Sequence, residues 1–264
     1  MRKILAFILL FALMVFPAAS YIVERKFKTL LEKKAYEATG ILYAVNPKTG
    51  KTQALCTIWN YAKVDDGYEA VTASHCASNE GEYPNGDLRF FVEYDDIVFK
   101  SEPQSLVPAN LIAFSNYHSL TDVALFDVKT NEKLPVLNLA DSDETQVGED
   151  VLNVSSPNEN FDKSIYFGYV TQNIVVSSDV NIDGMTHVVI PGVGPGSSGS
   201  AVLSADRKSV IGLVSLGEDV NAFLVPSNNI KQFIVEHPEK GAPRVVPSDH
   251  PVKVEQDDDD VPNG

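Results

Sequence analysis

An all-β protein of two six-stranded antiparallel barrels is the fold class this sequence predicts. Three observations point to it. Short apolar runs of strand length recur along the chain, turn-forming residues separate them, and they fall into two sets of about six on either side of a polar stretch. The 264 residues are 44% apolar, enough for a full core rather than a disordered chain.

Taken in order, Arg2 and Lys3 form a basic start, residues 4–16 an apolar run, and Pro17, Ala18, Ala19 and Ser20 supply small residues for cleavage. This reads as a signal peptide over 1–20. Tyr21, Ile22 and Val23 extend the apolar character, so the alternative is an uncleaved anchor. The core run is shorter than the ~20 residues a spanning helix needs. Either way the basic end stays inside and the domain is exported, to the periplasm or beyond. Residues 21–39 predict a helix, because Val23, Phe27, Leu30 and Leu31 recur at helical spacing, with Gly40 as its stop.

The first set of strands follows at 41–45, 52–59, 68–72, 88–93, 97–100, 106–114 and 123–128. Asp65, Asp66 and Gly67 mark a hairpin connection. A polar, loop-like stretch covers 129–148. The second set lies at 151–154, 164–176, 187–190, 201–203, 210–215 and 222–225. The first barrel thus spans about 40–130 and the second about 148–236, within a domain of 40–240. Ser227 is placed to cap a closing helix with Ile230, Phe233 and Ile234 on one face. Residues 241–264 carry four prolines and the run Asp257, Asp258, Asp259 and Asp260, which predicts a disordered acidic tail, solvated rather than calcium-binding. The formal net charge of -15 argues against nucleic acid as a partner, since phosphate would be repelled.

Three residues of suitable type stand in suitable contexts. Ser198 lies in Gly196-Ser197-Ser198-Gly199-Ser200. A serine hydroxyl needs a base to become a nucleophile, and the flanking glycines allow a tight turn and close approach of substrate. The N–H groups of Gly196 and Ser198 are the candidate oxyanion donors. Ser197 and Ser200 are rival nucleophiles, but only Ser198 has glycines two before and one after. No lysine follows as a phosphate loop requires.

His75, in Thr72-Ala73-Ser74-His75-Cys76, is the candidate base, since imidazole titrates near working pH. His118, His187, His237 and His250 have weaker contexts. Asp122, opening Asp122-Val123-Ala124-Leu125-Phe126, is the candidate acid that orients it. Asp127 is the rival on the same run, facing the other way. The chain order His, Asp, Ser differs from those of subtilisin and the α/β-hydrolases. The only cysteines, Cys56 and Cys76, form an even pair in an exported chain and predict a disulfide beside His75, the alternative being two buried thiols.

With these residues in view, the chain resembles the chymotrypsin-like serine proteases, closest in pattern to the HtrA/Deg protease domain. The motifs that carry the resemblance are Val71 to Cys76, Thr121 to Leu125, Pro195 to Ser200 and Val210 to Val214. Leu139-Ala140-Asp141-Ser142-Asp143 with Val147-Gly148-Glu149 points to the HtrA side, and the cysteine pair to the trypsin side. No PDZ-sized segment follows residue 240 in this sequence. The likeness covers about 40–236. It implies peptide-bond hydrolysis through an acyl-enzyme by His75, Asp122 and Ser198, with Gly196 as an oxyanion amide. No metal and no cofactor are implied. Ser197 stands where zymogen-activated relatives carry an aspartate, so activation by a new N-terminus is not expected.

By the same resemblance the primary pocket lies near residues 192–194 and 215–217, with Gly192, Ser215 and Gly217 as its candidate lining. Gly192 brings no charge there, so a small or medium apolar residue is expected at the cleaved position, although Glu218 and Asp219 lie close by. The expected partner is a protein or peptide substrate. A membrane is involved only if the N-terminal segment is retained, and the oligomeric state stays open. The alternative function is a latent or inactive binding module on the same fold. Other serine hydrolases such as esterases are disfavoured by the barrel pattern and the residue order.

Overall fold

The computed structural model describes residues 27–77, 88–94, 105–115, 119–157, 162–179 and 182–237. The expected signal segment, the strand at 97–100, His118, His250 and the acidic tail lie outside the described residues.

Twelve strands among the described residues close into two six-stranded barrels, every ladder antiparallel. Barrel one contains β1 (Thr39–Val45), β2 (Thr52–Val64), β3 (Gly67–Thr72), β4 (Arg89–Glu93), β5 (Val107–Phe114) and β6 (Ala124–Lys129), with neighbour order β1-β2-β3-β6-β5-β4. Barrel two contains β7 (Asp150–Ser155), β8 (Ser164–Gln172), β9 (Thr186–Val189), β10 (Ala201–Ser204), β11 (Val210–Glu218) and β12 (Asn221–Pro226), with order β10-β11-β12-β9-β8-β7. Closure pairs every strand on both sides and leaves no open edge. Leu42, Ile58, Trp59, Leu125 and Phe126 are fully buried in the first barrel, and Val170, Val202 and Ile211 in the second. Side chains of this size contribute about 1.5–3 kcal/mol each on burial, so the barrels carry most of the stability.

Two expectations at the N-terminal helix are corrected. Helix α1 (Leu30–Ala38) starts later than the apolar spacing implied. The Thr29 hydroxyl accepts from the Glu32 amide (3.1 Å) and the Glu32 carboxylate from the Lys28 amide (2.8 Å), a cap that fixes the start and leaves residues 27–29 outside. Gly40 is not the stop. The helix already ends at Thr39, whose amide bonds to the Tyr36 carbonyl, and Gly40 lies inside β1 where a Cβ would collide with Val92.

Lys163 locks this helix to both barrels. It is 2% exposed and donates to the carbonyls of Tyr36 (3.1 Å), Thr39 (2.6 Å) and Tyr94 (3.0 Å). The ammonium also stands 4.3 Å from the centre of the Tyr36 ring.

The closing helix, α2 (Ser227–Glu236), buries Ile230, Phe233 and Ile234 as the sequence implied. Its N-cap position is Pro226, however, and the Ser227 hydroxyl donates instead to the Ala140 carbonyl (2.8 Å), tying the helix to the inter-barrel connector. That connector is braced by acids. The Asp141 carboxylate accepts from the Asp143 amide (3.1 Å) and from the Asn228 side chain (2.8 Å), while Glu149 holds Arg207 (3.2 and 3.1 Å).

Candidate active site

Strand pairing brings the candidate base and acid together. β3 and β6 are antiparallel neighbours with Thr72 opposite Ala124. The chain leaving β3 and the chain entering β6 therefore lie at one end of the same pair. His75 follows β3 by three residues, in a short 3-10 turn (Ser74–Cys76), and Asp122 precedes β6 by two. His75 Nδ1 is 2.8 Å from Asp122 Oδ2. The rival Asp127 points elsewhere, to Lys129 at 2.7 Å.

Asp122 is fully buried, and four donors converge on it. Oδ1 accepts from the Ser74 hydroxyl (2.7 Å) and the His75 amide (3.0 Å). Oδ2 accepts from His75 Nδ1 (2.8 Å) and the Ser215 hydroxyl (2.6 Å). Burial alone would raise its pKa. The hydrogen bond and charge of His75, with the Ser215 and Ser74 hydroxyls, outweigh burial and hold the carboxyl below its usual range. The carboxylate fixes the orientation of the imidazole through Nδ1.

Ser215 reaches Asp122 because of a bulge. The β11–β12 register shifts between Val214 and Leu216, so Ser215 is the extra residue and turns toward barrel one. The expectation that Ser215 lines the substrate pocket is thus refined. Its hydroxyl is spent on Asp122, and the residue is 2% exposed.

The serine turn sits against the same strands. The Gly199 amide donates to the Val214 carbonyl (2.7 Å), one residue before Ser215, and the Ser200 carbonyl accepts from the Val214 amide (2.9 Å). On its other side the turn meets barrel one, where a Cβ at Gly199 would collide with Thr72 and with the Thr57 carbonyl. Gly196 and Gly199 have φ of 90° and 80°, which favours glycine at both places. Ser197 is buried and internal to the turn. Its hydroxyl accepts from the Gly194 amide (3.3 Å) and donates to Ser155 (3.3 Å), which argues against it as a nucleophile. Ser200 is likewise buried, accepting from Asn153 (2.8 Å).

Ser198 is half-buried. Its hydroxyl and amide, and the Gly196 amide, enter no hydrogen bond among the described residues. No hydrogen bond joins Ser198 to His75. Contacts of this kind are often long without substrate and tighten on binding.

At the expected pocket, Gly192 is exposed with φ 92° and is packed under the Tyr166 ring. Gly217 faces the middle residue of the expected 192–194 stretch. Val193, 5% exposed, approaches to 2.6 Å of where a Gly217 Cβ would stand. The other described histidines serve structure. His187 stacks on Phe223 (4.8 Å) and His237 closes α2 against the Phe233 carbonyl (2.9 Å).

Cys56 and Cys76 are joined in a disulfide, with Cα atoms 6.1 Å apart. Together with His75 they form a cluster of possible metal ligands, but both sulfurs are consumed by the bond to each other, which leaves no thiolate to bind an ion.

A family model described as a trypsin-like peptidase domain matches residues 61–213. The chain is similar to two proteins named probable periplasmic serine endoprotease DegP-like. One, from Rickettsia prowazekii, is 30% identical over 129 residues, covering 44% of this chain and 24% of that protein. The other, from Rickettsia conorii, is 28% identical over 168 residues, covering 57% and 31%. It is also similar to the serine protease Do-like HtrA of Bacillus subtilis, 29% identical over 138 residues, covering 47% and 29%. The matches thus span less than a third of each relative's length.

Proposed function

The chain belongs to the trypsin-like peptidase family, a serine protease hydrolase, and from that premise we propose that it is an exported serine endopeptidase whose triad is His75, Asp122 and Ser198. The single observation that carries the triad is the buried Asp122 carboxylate, 2.8 Å from His75 Nδ1 at the mouth of the serine turn. A carboxylate desolvated and given four donors is an orienting group and needs no salt bridge to lysine or arginine to explain it.

In the reaction, Ser198 Oγ attacks the peptide carbonyl carbon and passes its proton to His75 Nε2. Asp122 stabilises the imidazolium. The carbonyl oxygen takes the negative charge and is held by the amides of Gly196 and Ser198. The intermediate collapses as His75 Nε2 returns the proton to the leaving amine, which leaves an acyl-serine. Water, deprotonated by His75, then hydrolyses the ester. The residues themselves supply each step, with no role for a metal or cofactor.

Substrates are proteins or peptides. Val193 against Gly217 narrows the expected pocket, which favours a small or medium apolar residue at the cleaved position. Export is supported by the N-terminal sequence, by the disulfide and by relatives named periplasmic.

Peptide amides with alanine, valine, leucine, phenylalanine or arginine at that position test this reading. The expectation is cleavage after the smaller apolar residues, abolished in Ser198→Ala and lowered by roughly 10⁴-fold in Asp122→Asn. Cleavage unaffected by either substitution would exclude the triad.

A further inference from the structure

One buried hydroxyl joins three chain segments from both barrels at the serine turn. Thr57, in β2, has no exposed surface. Its Oγ1 donates to the Gly196 carbonyl (2.9 Å) and accepts from the Ser156 amide (3.1 Å). Its own amide donates to the Ser198 carbonyl (3.0 Å), and its carbonyl accepts from the Thr72 hydroxyl (2.7 Å).

We infer that Thr57 is a positioning residue for the oxyanion site, its side-chain hydroxyl holding the Gly196 carbonyl so that the Ser198 and Gly196 amides stay aimed at the substrate oxygen. This rests on the proposed triad and goes beyond it, since Thr57 touches neither substrate nor the reacting atoms.

The peptide between Ser197 and Ser198 carries the Ser198 N–H. The peptides on either side of it both end on Thr57, one through the Gly196 carbonyl to Oγ1 and the other through the Ser198 carbonyl to the amide. The peptide between is therefore bracketed, and its own carbonyl accepts from the Ser200 amide (3.1 Å). The second donor is more exposed to disorder. The Gly196 N–H turns with φ and ψ of a glycine, whose backbone is the least restricted of any residue. Two hydrogen bonds hold the peptide that follows, the Ser197 amide on the Gly194 carbonyl (2.9 Å) and the Gly196 carbonyl on Thr57 Oγ1 (2.9 Å), and only the second of them reaches across to barrel one. A preorganised donor contributes to rate only while it points at the place where charge develops, so loosening this carbonyl affects the transition state more than the bound substrate.

Threonine suits the place for a specific reason. The hydroxyl must donate to one barrel-two group and accept from another at the same time, and a serine could do the same. Valine has the same shape and neither capacity.

The connection also runs covalently to the base. Thr57 follows Cys56, and the disulfide leads to Cys76, next to His75. The clamp on the nucleophile turn and the turn carrying the base are thus two ends of one short path.

The test compares wild type with Thr57→Val, Thr57→Ser and Thr57→Ala, each checked for cooperative melting. Thr57→Ala removes the same hydroxyl without setting a methyl against the two backbone groups, which gives a second reading should valine prevent folding. Active sites are titrated with a fluorophosphonate, and kcat and KM are measured per titrated site. For Thr57→Val and Thr57→Ala the expected result is at least a tenfold fall in kcat, with KM within about twofold and phosphonylation slowed in parallel. Thr57→Ser should lie within about threefold of wild type, because it keeps the hydroxyl. A lower melting temperature with kcat unchanged would mean a merely structural role and overturn the inference, leaving the triad intact. A wild type that is folded yet unlabelled at Ser198 would overturn the triad and this inference together.

Discussion

Asp122 accepts from two hydroxyls, one amide and one imidazole, and each donor makes a separate expectation. Ser215→Ala removes the 2.6 Å bond and should lower kcat roughly tenfold, the worth of one hydrogen bond to a charged group. The carboxyl is held below its usual range in the folded protein. A depressed acid contributes stability that is complete above its unfolded pKa of about 3.9 and is lost as pH falls through the lower folded value. The stability advantage of wild type over Asp122→Asn, measured by urea unfolding, should therefore shrink as pH drops below about 4. At the expected pocket, Val193→Gly should open space beside Gly217 and raise kcat/KM for phenylalanine relative to valine at the cleaved position by at least about tenfold. As candidates, His75, Asp122 and Ser198 stand out in the sequence because each sits in its own short motif. Thr57, the contact of Val193 with Gly217 and the task of Ser215 were not, since they depend on which strands face each other in and across the barrels.

The elements were legible where their signals are local. Apolar runs and turn residues located every described strand to within a few residues, except that β2 runs on to Val64, β11 to Glu218, and β8 stops at Gln172 rather than reaching 176. The helix start at Leu30 was missed because its cap lies in two hydrogen bonds around Thr29 and Glu32, while apolar spacing continued upstream. Gly40 misled because a glycine after a helix reads as a stop, whereas close packing of Val92 requires it here. Lys163 has no local signal, as its three carbonyl partners come from distant segments. Lys163→Met should destabilise the domain by roughly 2–4 kcal/mol in urea unfolding, because three carbonyls lose a buried charged donor. It should also speed amide exchange in α1, whose last turn that ammonium holds.

At the scale of the whole molecule, two closed barrels meet where β3 ends, β6 begins and β11 bulges at Ser215, and the proposed site is assembled there. Barrel closure makes each half rigid, so the site depends on how the halves are fastened. Among the described residues the fastenings include Thr57 to Gly196, Ser156 and Ser198, Ser215 to Asp122, and Lys163 to Thr39 and Tyr94. The Cys56–Cys76 disulfide steadies the base within barrel one and closes a 20-residue separation. In the chain-entropy account such a loop contributes about 3 kcal/mol. Reduction with dithiothreitol should lower the melting temperature by roughly 5–10 °C for a domain of this size, and scanning calorimetry would read it. The central claim is that these turns form a working nucleophile, base and acid. Its most direct measurement is fluorophosphonate labelling of the disulfide-intact protein, with the adduct located by mass spectrometry in wild type, His75→Ala and Ser198→Ala. The account predicts a single adduct on Ser198 in wild type and none in either variant. A folded wild type without adduct, or an adduct that persists in His75→Ala at the wild-type rate, would contradict it.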